Sequence, residues 1–356
     1  MRYLRMNKYI FMSCMLICIS IAYAVLLSGC SRDKASGGTA PAPSFEFEAL
    51  SEIKEGRPDI YLILKLIDSS YWQVIIDGAY DAASELDCNL YMSGTANETD
   101  WEGQLSILDS CIERGADAII LAPDDSVKLS PKIDEIYDQG IPVVLIDTAA
   151  NTDSFDVCYM TDNLLAGQIA AQEMLDELKL MGVSENENAC IGIVVGTAAS
   201  LTINERLAGF YQYWTNNAPD KWFIVSDIMN CNGDISRAEG MIKDTISANP
   251  SLRGLYGTNN GPSKAIAGFV SASGRSDIAV VGFDYSDEIK SIINSDDHYA
   301  STVLQRQYDM SFMGTRTALE LLNGGKPASK FVDTGVVTVN RRTLKDPDVI
   351  SVIEHN

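Results

Sequence analysis

The chain has 356 residues, with 49 acidic against 27 basic side chains and a formal net charge of −22. This length is enough for two lobes that each bury a substantial core. The acidic balance, without a basic stripe, excludes nucleic acid as a partner, because such binding displaces counterions with Lys and Arg. It also excludes attachment to anionic lipid by charge alone.

The first thirty residues have the pattern of an export signal. Three basic residues lie within the first eight, and residues 9–26 carry no charge and are mostly apolar. The run ends in the sequence LSGC at residues 27–30, which resembles the bacterial lipobox, where small residues precede a cysteine that is lipidated. We therefore predict a signal peptide over residues 1–29 and a diacyl anchor on Cys30, which satisfies the two-chain requirement for stable attachment. The alternatives are a plain signal peptide and an uncleaved membrane anchor.

A polar, flexible tether is predicted to follow the lipidated cysteine. Residues 31–45 are rich in Ser, Gly, Ala and Pro, a composition that buries little apolar surface. We place Cys30 and the tether together over residues 30–57. The resulting expectation is an exported protein held to the outer face of the cytoplasmic membrane, either at a cell surface or in a periplasm.

Cysteine and histidine usage argues against metal and nucleophilic chemistry. The cysteines beyond Cys30 show no CxxC or metal-ligand spacing, which favours buried free thiols, although an oxidising compartment leaves one disulfide open. Histidine occurs only at His298 and His355, which weakens Ser-His-Asp, Cys-His and His-metal sites together. Phosphate-loop and GxGxxG motifs are absent from the sequence. We expect no cofactor, no metal and no catalytic residue. The scattered cysteines are Cys88, Cys111, Cys158, Cys190 and Cys231.

From residue 59 onwards, short apolar runs typical of buried parallel strands alternate with helical patterns. In the first half, the predicted strands are 60–64, 89–92, 118–122 and 142–146, and the predicted helices are 72–86, 102–114 and 131–139. In the second half, the predicted strands are 190–195, 222–227, 254–257, 278–282 and 300–304, and the predicted helices are 167–180, 203–216, 236–247 and 263–273. This order predicts an α/β protein with two similar doubly wound parallel-sheet lobes.

Polar and aromatic residues follow the predicted strands, where open α/β sheets bind their ligands. Carboxylates accept pairs of sugar hydroxyls, Arg, Asn and Gln donate to them, and aromatic faces match the C–H faces of a sugar ring. The set predicts a sugar pocket rather than a catalytic site. Its members are Lys65, Ser69, Tyr71, Trp72, Asp147, Arg206, Asn259, Asp284 and Gln305.

Several of these residues also have structural interpretations. Asp147 and Asp284 follow strands, as helix caps and turn residues do, and Asn259 fits a turn equally well. Trp72 fits the core as well as a stacking wall. The pair Asp124 and Asp125 is expected to form a solvated loop or a helix cap.

Segments in order along the chain resemble the type I periplasmic binding proteins of sugar ABC transporters, the ribose-, allose- and galactose-binding group, in lipoprotein form. The resemblance implies a periplasmic-binding-protein-like fold of type I, whose lobes are joined by three hinge crossovers near residues 161–162, 305–306 and 333–334. It implies an N-terminal lobe of residues 58–161 and 306–333 and a C-terminal lobe of residues 162–305 and 334–356. The matching segments are 64–72, 77–79, 118–123, 141–147, 161–167, 204–210, 280–284 and 305–308.

The resemblance also implies roles for single residues. Lys65 stands where ribose-type proteins have Ser and allose-type proteins have Lys, and Ser69 stands where Asn is usual. Tyr71 and Trp72 match two aromatics against the sugar, Asp147 and Asp284 match the aspartates that accept hydroxyls, and Arg206, Asn259 and Gln305 match the donors.

Two positions depart from the family pattern. Thr148 stands where an Arg is common, and Asn232, Gly233 and Asp234 replace a segment that contains an aromatic residue. A charged donor and a stacking wall are therefore missing or supplied from elsewhere.

The resemblance implies a monomeric, non-enzymatic protein that captures a monosaccharide or similar polyol and delivers it to an ABC transporter permease. A receptor subunit for a membrane sensor kinase or chemoreceptor is the alternative. A glycosidase would need Asp147 and Asp284 as a carboxylate pair with one raised pKa, and we expect Arg206 to keep both ionised instead. A repressor of related fold would need a DNA-binding helix pair where the signal lies.

Overall fold

The structure is a computed structural model that describes residues 46–355. The predicted signal peptide, the lipidated Cys30 and the tether over residues 31–45 lie outside the described residues. The elements of the first half are β1 (Glu48–Ala49), β2 (Asp59–Leu64), α1 (Ser70–Glu85), β3 (Asn89–Gly94), α2 (Trp101–Arg114), β4 (Ala118–Leu121), α3 (Ser130–Asp138), β5 (Val143–Ile146) and β6 (Val157–Met160).

The second half repeats this alternation of strand and helix. Its elements are α4 (Asn163–Leu180), β7 (Ala189–Val195), α5 (Leu201–Asn217), β8 (Trp222–Ile224), β9 (Met229–Asn230), α6 (Ile235–Ala248), β10 (Leu252–Gly257), α7 (Asn260–Ser273), β11 (Ala279–Phe283), α8 (Asp287–Asn294), β12 (Ala300–Gln305), α9 (Gln307–Leu322), β13 (Phe331–Asp333), β14 (Val336–Asn340) and α10 (Pro347–Ile353).

The strands form two sheets, which define the first and the second lobe. The first sheet has the order β1-β3-β2-β4-β5-β6-β13, and the second has the order β14-β12-β11-β10-β7-β8 with β9 also paired to β7. Neighbours pair in parallel, except that β1 is antiparallel to β3 and β14 is antiparallel to β12. This confirms the predicted pair of doubly wound parallel sheets.

The chain passes from one sheet to the other at three places. The first crossing lies between β6 and α4, the second between β12 and α9, and the third between β13 and β14. At the first and third crossings, the Asp162 backbone N–H donates to the Asp333 carboxylate at 2.9 Å, which ties two of the connecting segments together. The three crossings connect the two lobes.

Each sheet is buried on both faces, which explains the uninterrupted apolar runs in the sequence. Along β2, Ile60, Leu62 and Leu64 pack into one core cluster, while Tyr61 and Ile63 pack into another on the opposite face. The strand β7 divides in the same way between the two clusters of the second lobe. The rigid sheets therefore hold the residues at their carboxyl ends in fixed positions.

The described chain departs from the sequence predictions mainly in short elements. Five short strands and three helices were not predicted. Most of these runs lack a clear period, and α9 mixes polar with apolar residues on its buried side. The elements are β1, β6, β9, β13, β14, α8, α9 and α10. The predicted strand 222–227 ends at Ile224. The tether also ends earlier than residue 57, because β1 pairs with β3 and Leu50 is buried beside it.

The five cysteines of the described chain are free and buried, as the sequence predicted. Between Glu46 and His355, none of the helices has both the length and the apolar character needed to cross a membrane.

Candidate ligand-binding site

A cavity lies between the lobes at the carboxyl ends of both sheets. Its empty volume is about 470 Å³, including the open mouth. It is built largely from the residues that the sequence singled out, and Ser69 is the predicted residue that does not line it. The predicted residues in its wall are Lys65, Tyr71, Trp72, Asp147, Arg206, Asn259, Asp284 and Gln305.

The first lobe contributes a buried ion pair. The Lys65 ammonium lies 2.7 Å from Oδ2 of Asp147 and 2.6 Å from the hydroxyl of Thr148, and that hydroxyl donates to the same carboxylate oxygen at 2.7 Å. The Tyr71 hydroxyl donates to the other oxygen, Oδ1. Asp147 therefore has most of its acceptor capacity filled by protein groups, and it orients a lysine and a tyrosine at the cavity wall.

These contacts set the ionisation of the pair. Burial on its own would raise the pKa of Asp147, but the Lys65 charge and hydrogen bonds from Lys65, Tyr71 and Thr148 outweigh it and hold the pKa below its usual value. The pKa of the Tyr71 hydroxyl is raised well above its ordinary value by burial and by the neighbouring carboxylates. Asp147 is a carboxylate and Tyr71 a neutral donor at neutral pH.

The second lobe places Arg206 by close packing of α4 against α5. A Cβ on Gly167 would lie 2.1 Å from the Arg206 carbonyl oxygen, and a Cβ on Gly209 would lie 2.0 Å from the carbonyl oxygen of Leu164. Larger residues at either glycine would separate the helices. Gly167 and Gly209, which belong to segments that match the family, therefore allow the close helix packing that places Arg206 at the cavity.

The Arg206 guanidinium is held by neutral acceptors and an aromatic face. It donates to the Asn163 side-chain oxygen at 2.9 Å, to the Thr258 carbonyl at 2.8 Å and to the Gln305 amide oxygen at 2.8 Å. The guanidinium carbon, Cζ of Arg206, lies 3.9 Å from the centroid of the Phe283 ring. Asn163 was not among the predicted site residues, and it acts by positioning Arg206.

Gln305 links Arg206 to the second carboxylate of the site. Its amide nitrogen donates to Asp284 at 2.9 Å, and its amide oxygen also accepts from Thr161 at 3.0 Å at the first hinge crossing. Burial raises the pKa of Asp284 to about 7, and the Arg206 charge offsets only part of that effect. The expectation that Arg206 keeps both aspartates ionised is therefore wrong for Asp284, because complete burial outweighs a cation that reaches it through Gln305.

The two aspartates are not helix caps. The side chain that caps α8 belongs to Ser286, and the residues that follow Asp147 are not helical. Asn259 is the residue before α7, but its side chain makes no capping hydrogen bond and lines the cavity. All three side chains line the cavity, and none of them caps a helix with its side chain.

Ser69 is a helix cap rather than a wall residue. Its hydroxyl accepts from the Trp72 backbone N–H at 3.4 Å at the start of α1. The sequence motif that made it a candidate is explained by this role, since Ser and Asn are both favoured at the cap.

Tyr71 and Trp72 line the cavity edge to face, with ring centroids 5.0 Å apart at an angle of 82°. Trp72 is only 1% exposed, and its indole N–H donates to Oε1 of Glu98 at 3.0 Å. It thus packs in the core and also lines the cavity wall.

At the two departures from the family pattern, the structure shows what stands in each place. Thr148 shares the Lys65 ammonium with Asp147, so Lys65 is the charged donor beside that aspartate. In the second lobe, Asn232 and Gly233 have positive φ, and Asp234 caps α6. The apolar part of the second-lobe wall comes instead from Ile203, on α5.

Sequence reasoning missed two acids of the cavity wall, Glu98 and Asp124. Asp124 was expected in a solvated loop or a helix cap, but it is 3% exposed. Burial, which the Lys65 charge only partly offsets, raises its pKa to about 8. Both acids follow the carboxyl ends of strands, β3 and β4, and that position was the available signal.

The site has no evident means of holding a metal. Across residues 46–355, no cluster of three His, Cys, Asp or Glu side chains is arranged to bind an ion. The cavity has directional hydrogen-bond donors and acceptors beside aromatic side chains, which is typical of a pocket that binds a polar ring.

Comparisons with known proteins agree with this geometry. Residues 60–326 match the family described as periplasmic binding protein domain. The chain is 26% identical over 281 residues to the D-ribose/D-allose-binding protein of Pseudomonas aeruginosa, covering 76% of this chain and 84% of that one. It is 25% identical over 231 residues to a ribose import binding protein of Bacillus subtilis, and the match covers 64% of this chain and 70% of that one.

Solved structures give the same result for the fold. A carbohydrate transporter solute-binding protein from Agrobacterium radiobacter, in complex with D-arabinose, has a TM-score of 0.80 and 28% identity over 84% of this chain and 100% of that one. An ABC transporter solute-binding protein from Agrobacterium vitis with bound D-fucose has a TM-score of 0.75 and 27% identity over 82% and 98%.

Proposed function

The chain belongs to the periplasmic binding protein domain family, and from that premise we propose that it captures a monosaccharide or similar polyol between its lobes and delivers it to an ABC transporter permease. Members of this family are the substrate-binding proteins of transporters and not enzymes, and they act outside the cytoplasm. Its similarity to import binding proteins favours transport over the alternative of a receptor subunit for a sensor kinase or chemoreceptor.

The observation that carries the proposal is that both lobes contribute donors and acceptors to the wall of one cavity. Lys65 and Asp147 come from the first lobe, whereas Arg206, Gln305 and Asp284 come from the second. A ring with hydroxyls on several sides would be bonded by both lobes, so that bound ligand stabilises the closed arrangement of the hinge. A sugar that lacks one hydroxyl would leave a buried polar group unpaired, which is how such a site selects its ligand.

The site residues named from the sequence, apart from Ser69, are proposed as ligand contacts. We propose Tyr71 and Trp72 for the apolar faces of the ring, and Asn259 and Arg206 as donors on the second-lobe side. The lobes are proposed to change over at residues 161–162, 305–306 and 333–334, which fits the three crossings between the sheets.

We also propose that the protein is a monomeric lipoprotein, cut before Cys30 and anchored by lipid on that residue. The LSGC sequence at residues 27–30 after an uncharged apolar run supports this. The chain between Cys30 and β1 would then serve as a tether that keeps the two lobes near a membrane partner and raises their effective concentration there. The unsubstituted chain should incorporate a labelled fatty acid and a Cys30→Ala variant should not, whereas label on the variant, or none on the unsubstituted chain, would contradict the anchor.

The proposed function is tested by a thermal-shift screen of residues 46–356 against pentoses, hexoses, 6-deoxyhexoses and inositols. A ligand that binds only the folded state raises the melting temperature by mass action, by an amount that grows with its concentration. We expect a small subset of these compounds to do so. A flat response to every polyol would overturn the proposal.

A further inference from the structure

The acidic and basic side chains that line the cavity are unequal in number. Four carboxyl groups and two cations face it. Lys65 is paired with Asp147 at 2.7 Å, and Arg206 reaches Asp284 through the Gln305 amide. Glu98 and Asp124 remain, and neither forms an ion pair within the described chain. These two residues are called the acidic pair below.

Asp124 is buried with an unused acceptor. Its backbone N–H donates to the Gln104 side chain at 2.8 Å, which fixes the loop after β4, and its Oδ2 accepts from the Thr95 hydroxyl at 3.4 Å. Its other oxygen, Oδ1, is buried and has no hydrogen-bond partner among the described residues. A buried carboxylate oxygen without a partner is costly, so an acceptor in a cavity wall indicates a donor on the ligand.

Glu98 adds a second acid beside it. Trp72 holds one oxygen of Glu98 through the 3.0 Å bond from its indole N–H. Burial raises the pKa of Asp124 most, and the charge of Glu98 raises it further. The Lys65 ammonium lowers it only in part, so that the pKa is about 8. Lys65 is bound to Asp147 and Thr148, and this leaves the acidic pair without a cation of its own.

We propose that the acidic pair is a cation subsite of the pocket and that the ligand is a polyol bearing a primary amine, such as an amino sugar or an aminocyclitol. This inference rests on the proposed function. An ammonium group carries three donors and a compact positive charge, so it satisfies two neighbouring carboxylates. A hydroxyl offers one donor and no positive charge, so it cannot favour the ionised form of the pair as an ammonium does. A metal ion is not the cation expected here, since the described residues contain no cluster that could hold one.

The test is isothermal titration of the protein at pH 6.5, where an alkyl amine is protonated, with matched compounds that differ in one group. The probes are D-glucosamine and D-glucose, D-galactosamine and D-galactose, and an aminocyclitol and myo-inositol. We expect the amine of at least one pair to bind about 10-fold or more tightly than its hydroxyl counterpart, as for a hydrogen-bonded charged group. Asp124→Asn and Glu98→Gln should each reduce that ratio towards one.

Asp125→Asn is the matched control, because it removes the same charge one residue away. The Asp125 carboxylate accepts from the backbone N–H groups of Val127 and Lys128, a role that Asn can keep, so the amine preference should persist. If Asp124→Asn fails to fold, the half-buried Glu98→Gln decides the question. The inference is overturned if hydroxyl compounds bind as well as or better than amines in every pair, or if both variants keep the preference. Failure of the proposed function is distinct, since then neither member of any pair binds.

Discussion

Asp147 and Asp284 occupy equivalent points of the two lobes and share an unusual backbone conformation. Each follows a buried strand, and their φ values are 64° and 68°. The backbone N–H of Asp147 donates to the Tyr159 carbonyl and that of Asp284 to the Val303 carbonyl, both at 2.9 Å, so each is anchored to the next strand. Positive φ is uncommon for residues other than Gly and often occurs at functional sites, where the fold holds it.

The two aspartates differ in their protonation. Lys65 lies against Asp147 and keeps its pKa low, whereas Arg206 reaches Asp284 only through Gln305 and burial raises that pKa to about 7. The equivalent positions thus give one permanent carboxylate and one group that titrates near neutral pH.

Asp284→Asn should weaken ligand binding without loss of the fold. Asn tolerates positive φ and keeps the shape of the side chain, but it replaces one of the two acceptor oxygens by an NH2 donor and removes the charge of the ionised form. We expect affinity to fall about 100-fold, the effect of losing a charged hydrogen-bond partner. Titration calorimetry measures the affinity, and circular dichroism checks the fold. Unchanged affinity would remove Asp284 from the site.

Lys65→Met should destabilise the protein strongly, because it leaves the Asp147 carboxylate buried and unpaired. Breaking a buried ion pair in this way costs about 3–5 kcal/mol. Urea unfolding at pH 7 measures the loss, and the pKa of Asp147 should rise. The matched variant Lys65→Met with Asp147→Asn should recover a large part of the stability. A double variant as unstable as the single one would show that the destabilisation has another cause.

The pH dependence of stability follows from the two acids with raised pKa. Unfolded aspartates have a pKa of about 3.9, whereas those of Asp284 and Asp124 lie at about 7 and about 8 in the fold. Between these limits the folded protein binds more protons than the unfolded chain, so their contribution to stability falls as pH rises from about 4 to about 8.

Unfolding free energies measured without ligand across this range should show that decline. Asp284→Asn and Asp124→Asn should each reduce the slope, since each removes one titrating group. Asp147 contributes in the opposite sense, because its lowered pKa gives stability that is lost only as pH falls below about 4. A slope that is unchanged in both variants would show that these two groups ionise normally.

Ser69→Ala should lower stability by about 1 kcal/mol and leave ligand affinity unchanged, because Ser69 caps α1 and does not line the cavity. Ser69→Asn should keep the cap and the stability. Thermal unfolding and titration calorimetry of both variants check this. A marked loss of affinity in Ser69→Ala, together with normal stability, would show that Ser69 contacts the ligand.

The sequence predicted the lobes and most of the cavity for a physical reason. Buried parallel strands are uninterrupted apolar runs, and the residues just after them must gather at one edge of a sheet. Asp147, Asp284 and Gln305 were therefore candidates from their position, and for the two aspartates the family resemblance favoured ligand contact over a cap or turn role. The strands β1 and β6 were not predicted. β1 has only two residues, and β6 lacks the run of aliphatic residues that marks β4 and β5, which have the same length.

Asp124 shows what sequence position alone leaves undetermined. It follows β4 as Asp147 follows β5, yet two adjacent aspartates in a loop are usually solvated. Its burial depends on Gln104, which lies on α2 and bonds the Asp124 backbone and the carbonyls of Ala122 and Leu64. Such a contact between distant segments exists only once the sheet and helix have packed.

The most direct test of the account is titration calorimetry of the protein with the polyol that gives the largest thermal shift, performed in parallel on Asp284→Asn and on Ser69→Ala. We expect one ligand per chain and no chemical change in the recovered ligand. Binding should be strongly reduced in Asp284→Asn and normal in Ser69→Ala. The absence of binding by any polyol, or equal affinity in Asp284→Asn and the unsubstituted protein, would contradict it.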